Sequence, residues 1–306
     1  MAYTSPFLRM GQSAELESVG ESLSLAWPWR TRWVRAAILV LLAGWLYSSI
    51  LVHLAVQWYR DPNFSHGFFV PAFSVFVLWC ERDRLMGLPR VPSAWGLSIV
   101  AFSLCLLIVG VLGAELFLAR VSLLVLIAGL IVVFLGMGFL RAALFPLSFL
   151  LLMIPIPAIV FNEITLPLQV LASKVAATVL PGLGVPVLRE GNVINLPAMS
   201  LEVAEACSGI RSLLSLLTLA IIYGYIISGK KFVRIALAVA AIPIAIVANS
   251  LRIVVTGLLV QYWNPNKAEG FFHLFSGWLV FLVSMTLLFL LQRVLAWGTL
   301  DRKTHS

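Results

Sequence analysis

Charge is scarce in this 306-residue chain. Only 11% of the residues are Asp, Glu, Lys or Arg, against about 25% in ordinary soluble domains. Such a chain lacks the groups to cover a water-facing globular surface, and a lipid bilayer is the solvent that suits it. Cysteine is scarce too. Cys80, Cys105 and Cys207 stand far apart and no CxxC occurs, which argues against a metal knuckle or a local redox pair, so neither a metal nor another cofactor is expected. For Cys80 and Cys105 the general burial habit of cysteine points to inert thiols packed inside the bundle. A cleavable signal is missing from the N-terminus: the first apolar stretch follows about 35 residues that include Arg30, Arg32 and Arg35, and it is long enough to span. No internal repeat is visible, which weakens a transporter built from inverted repeats.

What the chain has instead is apolar length. Hydrophobic residues make up 61% of it, and the mean hydropathy is +1.02. At about 20 apolar residues per crossing, eight spans are predicted, near 36–56, 68–81, 94–113, 119–138, a stretch ending near Val160, 209–227, a long run beginning near 235, and 272–292. Residues 1–35 form an N-terminal tail with an interfacial Trp27-Pro28-Trp29 patch, 36–294 the transmembrane domain and 295–306 a C-terminal tail. The segment 162–206 is the longest region outside the membrane. Within it, 164–180 suits an amphipathic helix on the surface and 187–205 short extended segments.

The net charge of +8 sits mainly between apolar stretches, so it speaks of topology rather than of a nucleic acid partner. The basic segments are the N-terminal tail, 81–90, the loop with Arg141, 228–234 and the C-terminal tail. With eight spans all five fall on one side, which the positive-inside rule makes cytoplasmic. The loops at 57–67, 113–120, 162–206 and 262–271 fall on the other side. The expected fold is therefore an all-α integral membrane protein of about eight transmembrane helices, in a bacterial inner membrane, with both termini cytoplasmic.

Charge in or beside a span is expensive and suggests function. Cys207 lies in LEVAEACSGIRSLLSLL, where the outer segment enters a span, with Glu202, Glu205, Ser208 and Arg211 around it. Arg211 is four residues on and shares a helical face with Cys207; a nearby cation and a helix N-terminus both favour thiolate. Arg252, in IVANSLRIVVTG, follows Arg234 by 18 residues, about 27 Å of helix. That brings it close to the far side of a hydrocarbon layer about 30 Å thick. Snorkelling to the interface would suit an arginine there, but the apolar sequence continues through 253–260. Asn249, three residues earlier, faces the same way. His273, in AEGFFHLFSGWLVF, opens the last span. Topology thus sets Cys207, Arg252 and His273 in one outer layer, where a thiol, an imidazole and a guanidinium form a nucleophilic site. His66 and Asn63 in the first outer loop are further candidates for closing it, against the plain reading of interfacial polar tips.

At these residues the sequence resembles the exosortases, bacterial membrane cysteine transpeptidases related to the archaeosortases. The segments that carry the resemblance are EACSGIRS (205–212), NSLRIVVTG (249–257), HLFSGWLVF (273–281) and WYRDPNFSHGFFVP (58–71). The resemblance implies Cys207 as nucleophile with Arg252 and His273 as partners, and a catalytic cluster at the outer, periplasmic face. It implies substrates that are exported proteins with a C-terminal Pro-Glu-Pro-type (PEP-CTERM) signal, one transmembrane helix and a basic tail. Cleavage near the motif would pass the protein to an acceptor, often alongside exopolysaccharide production. Asn249, Glu205, Ser208 and Arg211 would support the site, or simply cap two helix ends. Two other readings compete: a multi-spanning transporter, which would spread charge through the membrane depth, and a non-catalytic assembly factor for exopolysaccharide export. A thiol–disulfide enzyme would need a second cysteine beside Cys207, and Cys80 and Cys105 belong elsewhere in this topology.

Overall fold

A computed structural model describes residues 29–197, 199–203, 209–227, 230–262 and 271–304, with the side chains of 29–33, 35, 36, 271–276 and 297–304 outside that description. The chain divides into two units, residues 1–49 and 50–306. In the first, α1 (Trp29–Leu46) exposes Val40, Leu41 and Trp45, an apolar surface of the kind a bilayer covers.

The second unit contains almost all the remaining structure. After α2 (Ser48–Arg60), a 3-10 turn (Pro62–Phe68) leads into α3 (Phe69–Cys80) and the short α4 (Arg82–Met86). Next come α5 (Trp95–Leu112), α6 (Leu116–Phe134) and α7 (Met137–Phe149), the last ending in a 3-10 turn (Leu150–Met153). A long α8 (Ala158–Gly182) precedes three short strands, β1 (Leu188–Glu190), β2 (Val193–Asn195) and β3 (Ser200–Glu202). The chain continues through α9 (Ile210–Ile227), α10 (Lys231–Tyr262) and α11 (Phe271–Thr304). Seven helices among the described residues are long and apolar enough to cross a membrane, or up to eight when Ala37–Leu46 and Ser48–Arg60 count as one interrupted span. This is a multi-pass membrane protein, as composition required.

The spans expected at 94–113, 119–138 and 209–227 correspond to α5, α6 and α9. Three features differ from expectation. The first span is broken at Tyr47. The fifth is short, Met137–Met153, because Pro146 lies inside α7 and a 3-10 turn replaces its last turn. The outer segment opens with α8, a helix of span length and composition, where a surface amphipathic helix was expected. The polar residues of α8 explain the discrepancy. Thr165, Gln169 and Ser173 share its buried stripe with Phe161, Ala172, Ala176 and Leu180, so these three polar positions face protein, while Asn162, Glu163 and Lys174 are exposed. Both thiols expected in the interior, Cys80 and Cys105, are exposed; on a helix facing lipid the outer surface is itself apolar and accepts a thiol.

α10 has 32 residues, about 48 Å of helix, and so outruns a hydrocarbon layer by about 18 Å. Its C-terminal half has its own cover. Ala172, Ala176 and Leu180 of α8 pack with Ile253, Val254 and Val260 of α10 and with Val185, Ile194, Leu196 and Val203 of the strand region. Leu168 and Ala172 lie beside Ala245 and Asn249, Leu180 beside Gly257, and the Tyr262 hydroxyl donates to the Leu183 carbonyl at 3.4 Å. α8 therefore runs parallel to the last half of α10. One face of the apolar run 253–260, with Ile253, Val254, Gly257 and Val260, is covered by protein.

α5 and α6 pack backbone to backbone. A Cβ on Gly96 would lie 2.6 Å from the Val133 nitrogen, and one on Gly129 would lie 2.9 Å from the Val100 nitrogen. Small residues at such crossings let dispersion replace the hydrophobic drive that lipid removes. A leucine at Gly129 is expected to force the pair apart and destabilise the protein by about 1–3 kcal/mol. Alanine at Gly138, where a Cβ meets nothing within 4 Å, is expected to be silent. Thermal unfolding of the two detergent-solubilised variants checks the contrast.

Candidate active site

Two layers of polar side-chain contacts mark the larger unit. At one end Glu81 accepts hydrogen bonds from the Tyr225 hydroxyl and from Arg84 Nη1, both at 3.0 Å, and the Arg234 guanidinium lies 4.7 Å over the Tyr225 ring. At the other end Trp58 Nε1 donates to the Met153 carbonyl at 2.8 Å, and His66 Nε2 lies 3.1 Å from the Leu152 carbonyl. Arg211 Nε donates to Asn63 Oδ1 at 3.2 Å. Arg211 and Tyr225 are 14 residues apart on α9, so the layers are separated by about 21 Å.

The second layer holds the sequence candidates that are described. Its frame is the first loop. Asp61 caps the turn Pro62–Phe68 by accepting from the Asn63 backbone N–H at 2.9 Å. Phe64 then packs with Phe161 of α8 and Ile210 of α9. His66 is buried, and its Nε2 must donate, because its partner is a carbonyl. So the loop is pinned to α7's terminal turn, to α8 and to α9 at once. Asn63 and His66, weighed only as closing residues, are built into this frame. The motif WYRDPNFSHG signalled the segment; nothing in it announced Leu152 or Arg211 as partners.

Asn249 and Arg252 sit one turn apart on α10 and both are buried, at 2% and 9% exposure. That excludes a snorkelling arginine. Asn249 meets the start of α9 directly. Gly209 has φ +79°, and a Cβ there would stand 2.8 Å from Asn249 Cγ. The same contact lines a cavity of about 10 Å³ with Leu168, Ala172, Leu213, Ala245 and Ile246, room for one water at most. Glycine is required twice over here, by the left-handed backbone and by the close approach. The contact joins the residue two positions after Cys207 to the helix face that carries Arg252. Cys207, Glu205 and Ser208 lie outside the described residues. His273 falls in the first turn of α11, where only the backbone is described. Arg211 is exposed and linked to Asn63.

One further cation escaped the sequence reading. Arg120, assigned there to a loop, lies in the second turn of α6, is 3% exposed, and its Nε has no hydrogen-bond partner. Among the described residues no group of His, Cys, Asp or Glu could hold a metal ion. A second, open hollow of about 270 Å³ runs along α8, lined by Asn162, Glu163, Thr165, Leu166, Pro167 and Gln169.

The model of the transmembrane exosortase family matches residues 58–290, most of the chain and all four of these segments. The chain belongs to the transmembrane exosortase family. Exosortase membership supports a membrane transpeptidase or protease role and substrates that are membrane-associated and carry sorting signals. No curated protein and no solved structure shows a detectable match.

Gly209→Ala is expected to destabilise the protein by about 1–3 kcal/mol, from backbone strain and from the clash with Asn249. Adding Asn249→Ala is expected to return part of that loss by removing the clashing atoms. A double-mutant cycle on thermal unfolding reads the coupling, and strictly additive effects would contradict the contact.

Proposed function

We propose that this exosortase is a cysteine transpeptidase or protease of the bacterial inner membrane that cleaves PEP-CTERM-type C-terminal sorting signals. The observation that carries the reading is the family match across 58–290, which contains Cys207, Arg252 and His273 in the family's order. Burial of Arg252 and Asn249 on the helix face that meets Gly209 supports it, because it brings a guanidinium into the interior beside the segment that carries Cys207, where a cation stabilises a developing oxyanion.

In this reading both termini are cytoplasmic. The layer of Trp58, His66, Arg211 and Arg252 faces the periplasm, and the Glu81 layer, with the basic segments 81–90 and 228–234, faces the cytoplasm. The substrate's own helix docks among the spans and brings its sorting motif to the outer layer. Cys207 gives its proton to His273, and the thiolate sulfur bonds to the scissile carbonyl carbon. Arg252 and nearby backbone N–H groups hold the oxyanion. The C–N bond then breaks as His273 returns the proton to the leaving amine, which leaves a thioester. An acceptor amine attacks the thioester and expels the thiolate, giving transfer; water in its place gives hydrolysis. Asn249, Glu205, Ser208 and Arg211 position these groups. The outer segment 162–206, with the hollow along Asn162, Glu163 and Gln169, reads the substrate, and the enzyme works alongside exopolysaccharide production.

The test is co-expression with a protein bearing a Pro-Glu-Pro-type signal, read by gel shift and by the mass of the new C-terminus. Wild type is expected to process it and Cys207→Ala to leave it intact. Arg252→Gln and His273→Gln are expected to slow processing by about 100-fold or more. Mass separates a free carboxylate from a transferred acceptor. Processing by Cys207→Ala would remove the nucleophile assignment.

A further inference from the structure

The three strands form an antiparallel sheet in the order β1-β2-β3, so β3 is an edge. Its register is Val193↔Glu202, Ile194↔Leu201 and Asn195↔Ser200. Bonds that flank the strand set the phase of the ladder: Val203 N–H donates to the Asn192 carbonyl and Leu196 N–H to the Met199 carbonyl, each at 3.0 Å. Hydrogen-bonded pairs alternate with unbonded ones in an antiparallel ladder. Leu201 therefore spends its N–H and carbonyl on Ile194, and the N–H and carbonyl groups of Ser200 and Glu202 point away from β2. Both residues are exposed, and among the described residues no strand pairs with that side. Leu201 packs against the core of the outer segment. The opposite end of the sheet is anchored on α8, whose Ser173 Oγ donates to the Gly191 carbonyl at 2.9 Å. The sheet is thus held on one side and presents an open backbone ladder on the other.

We propose that the β3 edge binds the substrate's sorting segment as an added, extended strand; this rests on the transpeptidase reading above. β3 leads directly into the nucleophile segment, with Ser200 seven and Glu202 five residues before Cys207. Seven residues reach about 24 Å at most, so substrate residues paired with Ser200 and Glu202 lie within about seven of the scissile bond. A second copy of this chain fits the edge poorly. The strand has three residues and carries Glu202, and short, charged edges are what block sheet-to-sheet pairing. Recognition through the edge uses main-chain hydrogen bonds, so it holds many side-chain sequences in one extended shape and draws them straight into register with the nucleophile. Only every second substrate residue turns its N–H and carbonyl toward β3.

The test is binding of a fluorescent synthetic Pro-Glu-Pro-type signal peptide to full-length Cys207→Ala protein in nanodiscs. Each non-proline backbone nitrogen within seven residues of the cleaved bond is methylated in turn. Methylation is expected to raise Kd about tenfold at alternate residues on one side of the bond and to leave the intervening ones unchanged. Ser200→Pro removes one outward N–H without touching the β2–β3 ladder and is expected to weaken the parent peptide similarly, while Ser200→Ala binds as the parent protein does. Failure of the parent peptide to bind, uniform tolerance of methylation, or losses without alternation would overturn the proposal. Cleavage is read separately with the wild type, so alternating binding without cleavage sinks the reaction and keeps the docking edge.

Discussion

A polar group left unpaired in hydrocarbon costs several kcal/mol, and the arrangement of this protein follows from that penalty. Several hydroxyls along the helices are satisfied within their own turn: Ser122 by the Ala119 carbonyl at 2.7 Å, Thr165 by Phe161 at 2.7 Å and Thr218 by Leu214 at 2.8 Å. Several groups with remote partners gather at the two ends. One end collects the Glu81–Tyr225 pair, the other the Trp58, His66 and Asn63–Arg211 contacts. Arg252 and Asn249 are buried on the half of α10 that α8 accompanies, and buried polar groups on a membrane helix are where membrane proteins keep their chemistry.

Irregular backbone in the second layer follows the same logic. The 3-10 turn Leu150–Met153 presents carbonyls that a continuing helix would have consumed, and the Trp58 indole and the His66 ring take two of them. A break in α7 is thereby turned into an attachment point. The first loop, held on these carbonyls, in turn reaches α9 through Asn63 and Arg211. Positioning of the α9 start thus depends in part on a proline-interrupted helix that also meets the far end of α9, where Phe145 stacks on Tyr225.

Much of this was readable in the sequence where periodicity and charge agree. α5 and α6 are bare of formal charge except for Arg120, and their limits came within a few residues. Spans and basic loops yielded the membrane class, which the family match confirms along with the exosortase resemblance. The reading failed where local polarity and tertiary environment part company. Asn162, Glu163 and Lys174 made 162–206 look like a region outside the membrane, and all three are exposed, yet α8 has the length and composition of a span and buries Gln169 at 8% exposure. Cys80 and Cys105 were assigned to the interior by a rule drawn from water-soluble proteins, whose surfaces are polar. In the site, Arg252 stood out by its cost. The Arg211–Asn63 bond joins residues 148 positions apart, and no spacing rule announces such a contact. Gly209 looked like part of a motif; its close approach to Asn249 became visible only with both helices in place.

The tight α5–α6 pair also bears on how the chain is assembled. Its contacts are local, its turn is short, and both helices are strongly apolar, with mean hydropathies of 2.5 and 2.7. Local contacts cost little loop-closure entropy and form early, so this hairpin is complete soon after it leaves the insertion machinery. α8 is synthesised well before the residues that cover it, 245–262 of α10. During that interval its apolar stripe, Ala172, Ala176 and Leu180, lacks the cover that α10 provides. The ladder edge and the α9 start therefore take their final form only after the second-to-last helix has arrived.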